Sequence, residues 1–294
     1  MKRITLLLLA VMIAAVFLSY GNVWSFAFVY DDEFLIVKNT YLRSFATFFE
    51  VFGRSSTGGA GFTDSFYRPL QVVAYLFAEQ IFGSAPRSFH LLNVGLHAAN
   101  ACLFFALGRR LGLARWAAFL PAILWAVHPI HTEAITYKSG TADPLSAFWI
   151  LIALLIMTAG WTLPRIAVGL VLFGFAMLSK EAAIVFPGLV MTILFLTREE
   201  RWNWKTYLPS VPFWLVAFGY LGLRATVLNF DSDFTMYKFD SEYAQDVSLR
   251  LFTFLATLPD YISLFFWPHD LHIDRDYPVS RTLFELKPLL GLAL

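Results

Sequence analysis

Three consecutive acids, Asp31-Asp32-Glu33, follow Tyr30 shortly beyond a long apolar N-terminal run. A carboxylate in that position is a candidate general base toward a hydroxyl, provided that cations stand near enough to neutralise the group that departs. Side chains able to do so occur as Arg68, as His90 and His97, as His128 and His131, and as Lys180 beside Glu181. His128, His131 and Glu133 are also ligand types for a metal. Their pattern is not the His-Glu-x-x-His of a zinc hydrolase, and Pro129 disturbs a helix there. No metal and no cofactor are expected.

The elements that must position these residues are membrane helices. Of 294 residues, 58% are hydrophobic and only 15% charged, with a mean hydropathy of +0.63. Soluble domains carry about 25% charged residues, so the chain reads as an all-α polytopic membrane protein. A net charge of +1 offers no basic field for nucleic acid. With Cys102 as the sole cysteine, an intrachain disulfide is impossible. About eight spans are expected, at residues 4–20, 88–107, 116–127, 144–160, 166–178, 182–196, 207–223 and 251–267, although the last could instead be re-entrant. The first is read as an uncleaved signal anchor, because a small-x-small cleavage site is lacking. Basic residues at the N-terminus and in the loops around 109–115, 165 and 198–205 fall on one side, which predicts a cytoplasmic N-terminus.

The whole chain, 1–294, is expected to form a single transmembrane domain: a first outer loop at 21–86, a multi-span core at 87–225, and a second outer loop with a last helix at 226–294. The first loop holds two stretches too short to span, 41–52 and 69–82, which are expected to lie as interfacial helices around a flexible Gly-rich patch at 55–61. If 251–267 is re-entrant, Asp270, Asp274, Asp276 and Tyr277 remain outside. The apolar run at 286–294 is expected to mark a truncated product or a boundary before further spans.

Within the second span His90, Asn93, His97 and Asn100 recur at offsets of three, four and three, which puts them on one helical stripe. Interhelical hydrogen bonding is one reading of that stripe and substrate binding the other. The spans flanking Lys180-Glu181 are short, so this pair is expected below the outer surface, at the floor of a cavity, where an ionisable pair is a functional-site candidate. The polar clusters gather on the outer side, and no Walker motif or glycine-rich phosphate cradle serves the inner one. An outward-facing enzyme would take an activated donor from the membrane, for which a lipid-linked phosphate fits. The alternative is a flippase or transporter, which should carry polar residues on its inner half as well.

Five segments then resemble one family in its own order: Tyr30-Asp31-Asp32; Tyr67-Arg68-Pro69-Leu70; Phe89-His90-Leu91-Leu92-Asn93-Val94 with Leu96-His97; His128-Pro129-Ile130-His131-Thr132-Glu133-Ala134 with Gly140 and Ala142-Asp143; and Leu178-Ser179-Lys180-Glu181. They are similar to the membrane half of the transmembrane, tetratricopeptide-repeat-containing O-mannosyltransferases. The resemblance implies a GT-C-type helical core embedded in a bilayer, of the bacterial inner membrane or the endoplasmic reticulum, with an outward-facing site. It also implies a polyprenyl-phosphate sugar donor, with mannose the sugar that the family's name suggests, and a protein or glycan acceptor. Asp31 or Asp32 would be the base of an inverting transfer. Arg68, His90, Asn93, His97, His128, His131, Glu133, Lys180 and Glu181 would bind donor phosphate or substrate. Two departures stand out: the repeats are absent, and Tyr137-Lys138 replaces small or apolar residues.

Overall fold

The computed structural model describes residues 2–228, 230, 246–272, 275 and 277–294. Among them every regular element is helical: α1 (Lys2–Ser19), α2 (Pro69–Phe82), α3 (Pro86–Arg110), α4 (Arg115–Ala126), α5 (Thr132–Thr136), α6 (Ala142–Met157), α7 (Leu163–Ser179), α8 (Phe186–Thr197), α9 (Val211–Ala225), α10 (Val247–Phe266) and α11 (Leu286–Ala293), joined by short 3-10 turns and a π-helical turn at Glu33–Val37. Proline opens α2, α3, α7, α8 and α9, where its missing N–H is not needed.

Each apolar stretch expected to span is helical, but five are long and apolar enough to cross a membrane: Lys2–Ser19, Pro86–Arg110, Lys138–Met157, Trp204–Ala225 and Val247–Phe266. The chain is thus a multi-pass membrane protein, with five full-length spanning helices among the described residues beside the eight spans expected. The remaining three are short. α4 has 12 residues, about 18 Å at 1.5 Å per residue, and Leu163–Ser179 and Glu181–Thr197 do not exceed 17 residues. Local chemistry stops them. His128 precedes Pro129 and so resists the helical region, while Lys180 lies in extended backbone at φ −156° and divides α7 from the turn before α8.

The chain divides into two compact units, Met1–His128 with Ala134–Asp233, and Pro129–Glu133 with Phe234–Leu294. In the first, three apolar clusters form the core. Met12 and Val16 of α1 meet Ala101 of α3 and Ala122 of α4; Met157, Phe173, Phe186 and Phe213 join α6 to α9; Tyr75 and Leu76 of α2 meet Ile36, Leu42, Val51 and Phe89. Leu6, Leu7 and Leu18 of α1 point outward and stay exposed, as a lipid-facing side requires. In the second unit α10 packs on α11 closely enough that a Cβ at Gly291 would fall 1.8 Å from the Leu255 carbonyl oxygen. There the Tyr277 hydroxyl donates to Asp260 at 2.8 Å and Lys287 pairs with the same carboxylate at 2.9 Å. Asp274 and Asp276, and most of the expected second outer loop, lie outside the described residues.

Two expectations for the first loop need correction. Residues 69–82 form the helix α2 as expected, but 41–52 breaks into 3-10 turns, Thr40–Arg43, Phe45–Thr47 and Glu50–Gly53. Side chains divert the backbone: Asn39 Oδ1 accepts from Tyr41 N at 3.1 Å, Ser44 Oγ from Ala46 N at 3.1 Å, and Thr47 Oγ1 donates to the Tyr41 carbonyl at 2.7 Å. The Gly-rich patch is a packed turn, with Ser55, Ser56, Thr57 and Gly59 buried. A Cβ on Gly59 would come 2.0 Å from Asn39 Oδ1 and 2.9 Å from the Tyr41 ring, so the glycine there serves close approach rather than freedom.

Candidate functional site

The two neighbouring aspartates have opposite surroundings. Asp32 is fully buried. Its carboxylate accepts from Val29 N at 2.9 Å, Ser139 N at 2.9 Å and Ser139 Oγ at 2.6 Å, and Lys138 Nζ stands 3.7 Å away. Lys138, 1% exposed at its side chain, donates from Nζ to the Ala27 carbonyl at 2.6 Å and lies over the Phe28 ring. A buried charge persists only when paired and hydrogen-bonded, and Asp32 with Lys138 meets both conditions. Residues 27–32 are therefore clamped to 138–139.

Asp31 is exposed, and among the described residues its carboxylate makes no hydrogen bond or ion pair. Its backbone is nevertheless fixed. The Asp31 amide donates to Tyr137 Oη at 2.9 Å, and its carbonyl accepts from Phe34 and Leu35. Tyr30 just before it has φ +48°, a left-handed conformation rare for an aromatic residue and held only where surroundings over-determine it.

The clamp is itself anchored from α2 and α3. Asn93 Nδ2 donates to the Tyr137 carbonyl at 3.0 Å, the Tyr75 hydroxyl to that of Lys138 at 3.0 Å, and Gln71 Nε2 to that of Ser139 at 2.8 Å. Thr141 links Asn93 to the same turn. Gly140 fits beneath Ala134, whose carbonyl oxygen would be 2.8 Å from a Cβ. Further along the α3 stripe His97 Nε2 meets the Ala126 carbonyl at 2.8 Å and Asn100 donates to that of Pro144 at 2.7 Å, so both hold backbone where helices begin or end, whereas His90 is buried with its ring edge-on to Phe26.

A second, more open constellation is made of charges. Arg68, at the N-terminal edge of α2, grips Glu181 with two nitrogens, Nε at 2.9 Å from Oε2 and Nη2 on Oε1, and its guanidinium covers the Phe66 ring at 4.4 Å. Lys180 Nζ meets both oxygens of Asp143, at 2.6 and 2.7 Å. Lys180 and Glu181 thus pair with different partners rather than with each other, and their side chains are 25% and 43% exposed. Burial alone would lower the Arg68 guanidinium, but the hydrogen bond and charge of Glu181 reverse this and hold it above its ordinary value. Nearby Asp64 is pushed up to about 6 by burial, against weaker opposition from the Phe66 amide, Ser55 and Arg68.

The two constellations share elements: Arg68 caps α2 and Gln71 lies in its first turn, and Ser139 sits in the 3-10 turn that leads into α6, whose first turn carries Asp143. Sequence reasoning named Asp31, Asp32, Arg68, Lys180 and Glu181, and it missed Tyr137, Lys138 and Ser139 as anchors and Asp143 as the Lys180 partner. A signal existed for one of them, since a lysine in an apolar membrane chain must find a carboxylate. His128 is half-buried at the end of α4 in the first unit, whereas His131 and Glu133 group with the second unit. Among the described residues no three His, Cys, Asp or Glu side chains form a group able to hold a metal ion.

Fold and site together define a multi-pass helical membrane protein with a fixed acidic turn and paired charges at its helix ends. Comparison with known proteins narrows the class. The chain is 31% identical over 199 residues to the protein O-mannosyl-transferase TMTC3 of Mus musculus, covering 64% of this chain and 21% of that protein. It is 36% identical over 141 residues to TMTC2 of Homo sapiens, covering 46% and 17%, and 33% identical over 183 residues to Tmtc1 of Drosophila melanogaster, covering 58% and 21%. It is therefore related to the TMTC protein O-mannosyl-transferases, and it spans about a fifth of the length of the curated relatives it matches. No family model matches the chain, and no solved structure matches it.

Proposed function

We propose that this chain is a membrane glycosyltransferase that moves a sugar, mannose by analogy with its relatives, from a polyprenyl-phosphate donor to a protein hydroxyl on the outer face of the membrane. Asp31 takes the proton of the acceptor hydroxyl. The freed oxygen attacks the anomeric carbon with inversion, and the bond from that carbon to the phosphate oxygen breaks, its electrons leaving on the polyprenyl phosphate. Arg68 and Lys180 neutralise that phosphate as their carboxylate partners yield to it. A donor with one phosphate asks less of a metal than a pyrophosphate donor does, so the reading uses none.

The observation that carries this reading is the division between the aspartates. A base must reach solvent and acceptor while its backbone stays fixed. Asp31 combines an exposed carboxylate with an amide held by Tyr137, whereas Asp32 gives its oxygens to Ser139 and Val29. Asp31 is thus assigned as the base and Asp32 as its anchor. The stripe from His90 to Asn100 supports the scaffold rather than the donor.

The test is transfer from polyprenyl-phosphate mannose to a serine- or threonine-bearing peptide, assayed in membranes. Asp31→Asn should lower the rate by about 10²–10⁴-fold, the usual range for a general base, with the purified variant melting as the parent does. Full activity in Asp31→Asn overturns the assignment.

A further inference from the structure

We infer that α1, α3 and α6 form a binding groove for one anionic phospholipid, with its cationic mouth at the end of the bundle away from the charged site. The groove is a cavity of about 530 Å³, within the range of small-molecule sites. Ala99, Cys102 and Ala106, at offsets of three and four, keep one face of α3 small. Thr5 of α1 and Phe148 of α6 wall it on either side, and Arg109 stands at one end.

The lining decides what fills it. Apart from Thr5 and Arg109 the walls are apolar, so water would lack the two to four polar partners that hold it in place. The groove is open along one side, so its apolar lining needs a filling that restores dispersion contacts along it. An acyl chain satisfies both conditions. The headgroup follows from charge: Arg109 and Arg110 close α3, and Lys2 and Arg3 begin α1, three and two residues before Thr5. Among the described residues no carboxylate pairs with any of the four, and Arg109 donates only through Nη1, to the Leu113 carbonyl. Uncompensated cations at the mouth of a groove between membrane helices suit a lipid phosphate that carries net negative charge.

Position separates the cationic mouth of this groove, though not its apolar inner end, from the proposed reaction. Asn93, which holds the clamp, and Arg109 are sixteen residues apart on α3, about 24 Å at 1.5 Å per residue, whereas Ala99 and Phe148 carry the apolar part of the groove back toward the level of Asn100 and Pro144. The groove is therefore assigned to a resident lipid rather than to the donor, and it stands whether or not the chain transfers sugar.

Cys102 lies in the groove and is the sole cysteine, so the unaltered full chain carries its own probe. Purified protein is stripped of lipid in detergent, and the rate of Cys102 modification by a small maleimide is followed with added phosphatidylglycerol, phosphatidylcholine of the same chains, or polyprenyl phosphate. Phosphatidylglycerol should slow labelling at least fivefold at a concentration where phosphatidylcholine does not, and Arg109→Gln should abolish that difference. Native mass spectrometry should find one retained phosphatidylglycerol on the parent and none on Ala106→Phe. Equal rates with both phospholipids, or protection by polyprenyl phosphate alone, would overturn the proposal.

Discussion

The acidic turn and the charge cluster solve the problem of ions in a membrane protein in opposite ways. Around Asp32 the acceptors are met mainly by backbone and hydroxyl groups, and its cation, Lys138, is buried with it. Around Arg68 and Lys180 the partners are carboxylates that stay partly exposed, 43% for Glu181 and 47% for Asp143. The first arrangement cannot change without loosening the fold. The second can exchange one anion for another more readily, because Glu181 and Asp143 reach solvent, where ion pairs contribute little, although the Arg68 side chain is itself only 16% exposed. A base needs the former and a phosphate site the latter.

The largest effect should follow from breaking the fixed side. Asp32→Ala leaves Lys138 as an uncompensated buried charge, which costs about 3–5 kcal/mol and should appear as a large drop in thermal midpoint in micelles. Lys138→Met should also destabilise. The double variant should lose less than the two singles together, with a coupling of about 1–3 kcal/mol. Additive losses would mean that the 3.7 Å separation carries no pairing.

How far this contrast was legible beforehand differs between its halves. Hydropathy located the long helices, since apolar runs announce themselves, and the basic end of α3 marked its boundary, but the short polar α5 gave no such signal. The acids, Arg68 and Lys180-Glu181 were readable because charges in so apolar a chain need a reason. Which charge meets which was not readable: Lys180 and Glu181 are adjacent in sequence, yet an extended residue between α7 and the next turn sends them to Asp143 and Arg68. Nor could the sequence divide Asp31 from Asp32, because that depends on a contact across 107 positions, from Asp32 to Ser139. The Gly-rich patch failed for a related reason. Glycine marks both freedom and close approach, and only the neighbours, Asn39 and Tyr41, decide between them.

Asp64 tests the boundary between the two regimes. It lies beside Arg68 but is buried, and its acid is held at about 6 against an ordinary 3.8. The neutral form is favoured in the fold, so its stabilising contribution is complete below pH 4 and is lost as pH rises to about 6. The loss is about 2–3 kcal/mol by linkage. Melting measured from pH 4 to 7 should show the decline, and Asp64→Asn should flatten it. An unchanged slope in that variant would assign the decline to another group.

Gly59→Ala probes the fixed side away from any charge. Its Cβ would enter the space of Asn39 Oδ1 at 2.0 Å, and forced overpacking costs about 1–3 kcal/mol. Asn39 also donates to the Leu35 carbonyl at 3.1 Å, so the strain would pass toward the turn that bears Asp31. Activity should therefore fall with the melting temperature. A variant that melts like the parent would show that the patch yields as a loose loop does.

The smallest effect on stability, and the sharpest on function, belongs to the exchangeable pair. Glu181→Gln removes a charge that is 43% exposed, so the melting temperature should move by no more than about 1 kcal/mol allows. The consequence for the donor depends on what Glu181 does. If it only holds Arg68 until a phosphate arrives, its loss frees the guanidinium and the KM for donor should fall, while kcat changes little. If it instead fixes the direction of the guanidinium fork, the KM should rise. Arg68→Lys discriminates further, because lysine keeps the charge but cannot reproduce the two-nitrogen grip on a planar anion. A raised KM in Arg68→Lys with a lowered one in Glu181→Gln would identify the cluster as a phosphate site held closed by its own carboxylate, and unchanged KM values in both would remove it from the reaction.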